Sequence, residues 1–261
     1  MSIEVALPRP TRFSVGRALG ESIVIFARNI VWLVPAACAA RAVVLLVPEP
    51  ADDGDSIDWW ELGLDELTDW LASSLADAAI ILIILQILRG HRPSIGNLTA
   101  GFRFIIPLTV AYLIVGLPWT VAAIVERLWE SDGLEFFARW LIFYVIAMVF
   151  YVRWAISTQA IVIDRIDPLA GLVRSAGLTN GRRWAIFGLI VIPQVFFILL
   201  NVGTSFLSEL LAMTEWMADL IDYLVAATST AYFTVLTTIL YYDLRREKEG
   251  ADSGELARVF D

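Results

Sequence analysis

Six long apolar runs constrain this chain more than any other feature of its sequence. They cover residues 30–47, 71–88, 104–125, 141–163, 185–205 and 220–242. Each run has about the length that an α-helix needs to cross the hydrocarbon core of a bilayer. Because backbone polar groups in that core must be satisfied within the segment, such runs fold as helices. The sequence therefore predicts an all-α polytopic membrane protein with six transmembrane helices.

The runs leave no stretch long enough for a soluble domain. Hydrophobic residues make up 58% of the 261 residues, well above the share in soluble domains. We predict one six-span membrane domain over residues 1–250 and a short cytoplasmic tail over residues 251–261.

Basic residues divide the connecting segments into two classes. Most arginines lie in four segments: before the first run, between the second and third runs, between the fourth and fifth runs, and after the sixth run. The other connections hold only Arg127 and Arg139. By the positive-inside rule, the arginine-rich side faces the cytoplasm. An even number of spans also places both termini on one side, so we predict a multi-pass plasma membrane protein with cytoplasmic termini.

Acidic residues dominate the opposite side and account for most of the net charge of −9. Nine of them lie in the connection between residues 49 and 69, and Glu209, Glu215, Asp219 and Asp222 lie in another. An acidic surface of this kind favours a source that lives at high salt, where the repulsion between carboxylates is screened. Calcium binding by residues 52–58 is the alternative, but the order of a calcium loop is absent there.

A short amphipathic segment precedes the fifth run. Asp167 suits a helix N-cap and Pro168 the first helical position, and apolar residues then recur with helical spacing up to Ala176. Similar segments follow Ser14 and Ser94, each before two apolar runs. The pattern predicts three repeats of an interfacial helix followed by a helical hairpin.

Three charged residues fall inside predicted spans. Arg41 and Asp77 lie at similar depths below the outer ends of spans one and two, so we expect them to pair. The pair is either a structural staple or part of an ion or substrate path. Arg153 lies near the middle or inner half of span four, and it either recognises an anionic headgroup or is buried structurally. Hydroxyl and amide residues in spans five and six form a polar stripe, typical of helix packing and alternatively of a permeation path.

Catalytic and metal-binding chemistry has little support. Cys38 is the only cysteine and His91 the only histidine, so thiolate or zinc sites and histidine triads are not expected. Basic patches interleaved with aromatics are also lacking, which argues against nucleic acid as a partner. We predict no enzyme activity, no cofactor and no metal.

Two segments carry a family resemblance. Residues 174–188 read RSAGLTNGRRWAIFG, and residues 235–250 read VLTTILYYDLRREKEG. These segments resemble the prokaryotic membrane family often labelled glycerophosphoryl diester phosphodiesterase membrane domain, with its uncharacterised archaeal relatives. The soluble phosphodiesterase domain is absent from this sequence, so the resemblance implies a membrane location and accessory or lipid-related work, without catalytic residues.

The sequence thus favours an accessory or scaffold protein that contacts membrane lipids or an unidentified protein partner. Arg174, Arg182 and Arg183 are the residues expected to make this contact, since basic side chains near anionic headgroups bind them. The alternative is a small transporter or lipid-handling permease with Arg41, Asp77 and Arg153 along its path. The transporter hypothesis requires the three charges to face one common cavity, whereas the accessory hypothesis does not.

Overall fold

The computed structural model describes residues 13–42, 59–91, 93, 100–128 and 133–250. These residues form α-helices and one 3-10 turn, Phe102–Phe104, with no β-strand among them. The helices are α1 (Val15–Arg41), α2 (Trp59–Leu88), α3 (Ile105–Leu128), α4 (Gly133–Trp154), α5 (Ser157–Asp164), α6 (Pro168–Thr179), α7 (Arg183–Leu210) and α8 (Glu215–Glu249). The predicted tail over residues 251–261 lies outside the described residues.

Six helical segments are long and apolar enough to cross a membrane. They are α1, most of α2, the 3-10 turn with α3, the α4–α5 run, α7 and α8. Large apolar side chains such as Val149, Leu199 and Phe206 lie exposed on the outer faces of α4 and α7. Since water would disfavour such surfaces and lipid would not, the chain is a multi-pass membrane protein by composition.

Helix α8 is central in the bundle and packs against α1, α2 and α7. Small residues allow close approach where α1, α2 and α8 meet: Ala37, Ala76, Ala227 and Ala231 are fully buried there. Membrane helices associate through such small-residue contacts because lipid gives no hydrophobic force between them. This packing places the polar face of α8 toward the interior of the bundle.

The three predicted interfacial helices have different outcomes. Helix α6 is a separate short helix, and the Asp167 carboxylate accepts from the Ala170 amide at 3.0 Å, as expected for an N-cap. The segment after Ser14, in contrast, forms the first turns of the continuous helix α1, so its prediction as a separate helix is wrong. The middle segment, 94–102, lies largely outside the described residues. The threefold repeat therefore stays a prediction.

The fourth predicted span, 141–163, is not one helix. It breaks after Trp154, and α5 restarts at Ser157. The Ser175 hydroxyl of α6 donates to the Arg153 carbonyl (3.1 Å) and accepts from the Ile156 amide (3.3 Å). One side chain thus satisfies backbone groups on both sides of the break, which makes a break tolerable inside an apolar segment.

The acidic segments are also more helical than predicted. Helix α2 begins at Trp59, so the last acidic residues of the predicted loop lie on its first turns. Helices α7 and α8 leave only residues 211–214 between them, so Glu209, Glu215, Asp219 and Asp222 also lie on helices. The remainder of the acidic connection lies outside the described residues.

Candidate binding cavity

A cavity of about 220 Å³ opens between the helices beside Asp77. Among the described residues, every candidate span except α1 contributes to its wall. Its lining residues are Ser73, Asp77, Ala111, Tyr112, Val115, Tyr151, Trp154, Ala155, Ser157, Thr158, Gln194, Ser229, Thr230, Phe233, Thr234 and Thr237. Most of these side chains are hydroxylic, amide or aromatic. The break between α4 and α5 lies directly in the wall, at Ala155.

Asp77 is the one acidic side chain among the described residues of this wall, and it is 7% exposed. The Tyr112 hydroxyl donates to one carboxylate oxygen at 2.7 Å, and the Thr234 hydroxyl donates to the other. Among the described residues, no basic side chain pairs with Asp77. Hydroxyl groups are therefore the partners of this buried carboxylate, and within the described part of the chain no cation is placed to compensate a negative charge on it.

A second polar layer lies beside this carboxylate. The Gln159 amide of α5 donates to the Thr237 hydroxyl at 2.8 Å, and the Thr158 hydroxyl donates to the Gln159 carbonyl oxygen at 3.1 Å. Thr237 itself donates to the Phe233 carbonyl at 2.8 Å. These bonds join α5 to α8, so a hydrogen-bond network within the protein holds these polar side chains in place.

The predicted pairing of Arg41 with Asp77 is wrong. The Arg41 guanidinium pairs with Asp69 instead, at 3.2 Å. Arg41 is the last residue of α1, whereas Asp77 lies eight residues further along α2 than Asp69, or about 12 Å by helix rise. Because α2 extends further toward Trp59 than the apolar run suggested, it offers a closer carboxylate.

Arg153 does not line the cavity either. It lies in the last turn of α4, its side chain is exposed, and it forms no ion pair with any described residue. The break after Trp154 explains this position, since it ends α4 directly after the arginine. Of the three intramembrane charges, only Asp77 faces the cavity, so a common path lined by all three is not found.

Arg174 lies in the middle of α6, whereas Arg182 and Arg183 lie at the start of α7. Arg174 and Arg182 are engaged within the protein. Arg174 pairs with Asp164 and, at 3.0 Å, with Glu249, and Arg245 pairs with the same two carboxylates at 2.9 and 3.1 Å. We call Asp164, Arg174, Arg245 and Glu249 the arginine cluster. The Tyr241 hydroxyl donates to Asp164 at 2.6 Å.

The arginine cluster joins α5, α6 and α8 at one end of the bundle. Burial acts to lower the pKa of Arg174, but the Tyr241 hydroxyl and the carboxylates of Asp164 and Glu249 outweigh it and raise that pKa. Arg182 pairs with Glu247 beside the cluster. Arg183, in contrast, is exposed and forms no ion pair with a described residue. Only Arg183 of the three arginines is open to an external contact.

Sequence reasoning missed several cavity residues. Tyr112, Tyr151 and Trp154 are aromatic residues in the middle of apolar runs, and the sequence analysis did not identify them. The polar triplet Ser157-Thr158-Gln159, inside an apolar run, was a second usable signal. Gln194 and the hydroxyl residues of α8 were identified as a stripe. Thr234 and Thr237 do bond across to neighbouring helices, whereas Thr228 and Thr238 bond only to their own helix.

Fold and site together define a polytopic helical membrane protein with a polar cavity between its spans. Residues 87–242 match the model of a family described as domain of unknown function (DUF7847). The match covers more than half of the chain, so the protein belongs to this family. It gives no link to the phosphodiesterase membrane domain. Neither a curated protein nor a solved structure matched the chain.

Proposed function

We propose that this protein is a small membrane transporter or permease whose binding site is the cavity beside Asp77. The observation that carries the proposal is a buried carboxylate that has no basic partner in the described part of the chain and lies next to open space. A charge inside a membrane domain is costly, so such residues are rare and usually serve substrate or ion pathways. The resemblance noted in the sequence and the proposed cytoplasmic termini are compatible with this function but do not carry it.

The broken fourth span supports the same proposal. Many transporters bind their substrate between discontinuous helices near the middle of the membrane. Here the α4–α5 break forms part of the cavity wall, and Ser157 and Thr158 begin the second half. The break therefore adds polar groups to the cavity that a continuous helix would keep hydrogen-bonded to its own backbone.

Solvent access to the cavity is the test, because a transporter must open its site to water. Cys38 is replaced by alanine, and cysteine is then introduced at the cavity residue Thr230 or, as a matched control, at Thr238, which is fully buried on the same helix. Sealed vesicles are treated with a small membrane-impermeant methanethiosulfonate. We expect Thr230→Cys to react at least about tenfold faster than Thr238→Cys, given their difference in burial. If Thr230→Cys and Thr238→Cys react at equal rates, whichever side of the membrane receives the reagent, the proposal is overturned.

A second proposal is accessory or scaffold work at the cytoplasmic membrane surface, without catalysis. It is favoured by the outer face of α6 and the start of α7, where Val173 is 73% and Trp184 86% exposed beside the exposed Arg183. Apolar and aromatic side chains next to a cation suit the headgroup layer of an anionic membrane. The test measures how much anionic lipid co-purifies with the protein. Arg183→Gln should reduce this enrichment, and unchanged enrichment would contradict the second proposal.

A further inference from the structure

The walls of the cavity restrict the charge of whatever binds there. Among the described residues, the lining contains one carboxylate and no arginine, lysine or histidine. The Asp77 carboxylate accepts from Tyr112 and Thr234, so its oxygens are held in place, and no cationic side chain that the structure describes contacts it. An anion placed there would be repelled by an ionised Asp77, and a neutral solute would not compensate that charge. A positively charged ligand avoids both costs, because an opposite charge nearby favours the ionised carboxylate.

The other side chains restrict the kind of cation. Four aromatic residues line the same space: Tyr112, Tyr151, Trp154 and Phe233. Aromatic side chains around a carboxylate are typical of sites for organic ammonium groups, which they attract through cation–π contacts. The hydroxyls of Ser229 and Thr230 add hydrogen-bond acceptors for an N–H or O–H group.

The volume of the cavity points the same way. A cavity volume of about 220 Å³ is far more than one dehydrated metal ion requires. The space fits a small organic cation, or the ammonium headgroup of a lipid whose chains stay outside.

We propose that the cavity beside Asp77 binds a small organic cation through its ammonium group, with Asp77 as the counter-charge and Tyr112, Tyr151 and Trp154 around it. This inference rests on the proposed function and names its substrate class. Asp77 acts here as a binding residue, and no covalent step is involved.

The experiment measures equilibrium binding of radiolabelled choline to the purified full-length protein in detergent. Competition with 3,3-dimethylbutan-1-ol, a neutral molecule of the same shape, isolates the effect of charge. We expect choline to bind at least about tenfold more tightly than the neutral compound, a ratio that corresponds to about 1.4 kcal/mol. Asp77→Asn should remove this preference.

Asp69→Asn is the matched control, because it changes a carboxylate of the same helix that pairs with Arg41 outside the cavity. It should keep the tenfold preference. If Asp77→Asn does not yield folded protein, Val115→Phe fills the cavity without changing its charge and should also abolish choline binding. Choline binding that survives Val115→Phe overturns the proposal.

Further arms separate the sources of the ammonium group and the competing ligands. Lysophosphatidylcholine and unlabelled choline are compared as competitors for the bound radiolabelled choline. If lysophosphatidylcholine competes more strongly and depends on Asp77, the ammonium group belongs to a lipid headgroup; if choline competes more strongly, it belongs to a soluble amine. Both outcomes support the proposal. Equal binding of the neutral compound, or full displacement of choline by millimolar sodium chloride, overturns it. If choline does not bind while Thr230→Cys still reacts from water, the cation inference fails and the proposed function stands. If Thr230→Cys also fails to react, both fail.

Discussion

The cavity beside Asp77 and the arginine cluster differ in the partners that they give to their carboxylates. In the cluster, Asp164 and Glu249 each contact both Arg174 and Arg245, so their charges are neutralised within the protein. In the cavity, the donors to Asp77 among the described residues are hydroxyls, and open volume lies next to it. The first arrangement is typical of structural ion pairs, and the second leaves a role for a ligand. The difference shows that the contacts of a charged residue, and not its position within an apolar run, indicate whether its role is structural or functional.

Helix α5 links the two regions, since Thr158 lies at the cavity and Asp164 in the cluster. Its position depends on Gly171 of α6, where an added Cβ would lie 2.5 Å from a side-chain carbon of Ile161. Gly171→Ala should therefore destabilise the protein by about 1–3 kcal/mol, the usual cost of overpacking. Thermal unfolding in detergent measures this loss.

Gly177→Ala provides the control for this substitution, because the same helix leaves open space at Gly177. It should be neutral or stabilising by up to about 1 kcal/mol, as expected for replacing a helical glycine. Equal melting temperatures for the two variants would show that α5 and α6 do not pack as closely as described.

Asp164→Asn tests the cluster alone. Removing this carboxylate leaves Arg174 and Arg245 with only Glu249 as a shared acidic partner, and we expect a loss of about 1–3 kcal/mol in unfolding free energy. Denaturant titration measures the loss, and the affinity for choline should stay within about twofold because the cluster lies outside the cavity. A larger change in choline affinity than in stability would contradict the separation of the two regions.

Thr234→Val tests the hydroxyl support of Asp77. The variant keeps the shape of the side chain but removes a donor to the carboxylate, which should cost about 1 kcal/mol. Thr238→Val is the matched control, since the Thr238 hydroxyl bonds only to the Thr234 carbonyl of its own helix. Thermal unfolding of the two variants should therefore rank Thr234→Val below Thr238→Val, and the opposite order would argue against support of Asp77 by Thr234.

Asp69→Asn should have the smallest effect. The Asp69 side chain is 51% exposed, and exposed ion pairs contribute little, so we expect a change below about 0.5 kcal/mol. Unfolding at low and high salt checks this expectation, because screening should remove what contribution remains. A loss as large as that of Asp164→Asn would mean that the Arg41–Asp69 ion pair makes a large contribution to stability.

Much of the fold followed from local sequence patterns. The six membrane-length segments and helix α6 with its Asp167 cap were predicted because length, hydropathy and capping are local properties. The first interfacial helix was predicted wrongly, since amphipathic spacing cannot distinguish a separate helix from the first turns of a longer one. The break after Trp154 depends on Ser175, nineteen residues away from Ile156, and no local pattern contains that contact.

The candidate site followed from the sequence only in part. Asp77 was identified because an isolated charge in an apolar run is conspicuous, but its expected partner was wrong. The sequence by itself determined that this chain is helical, apolar enough for a membrane and marked by a few buried polar residues, because these properties depend on composition and helical spacing. Only the tertiary structure decided which charges are neutralised and that Asp77 faces a cavity, because ion pairs and open space arise where helices distant in sequence meet.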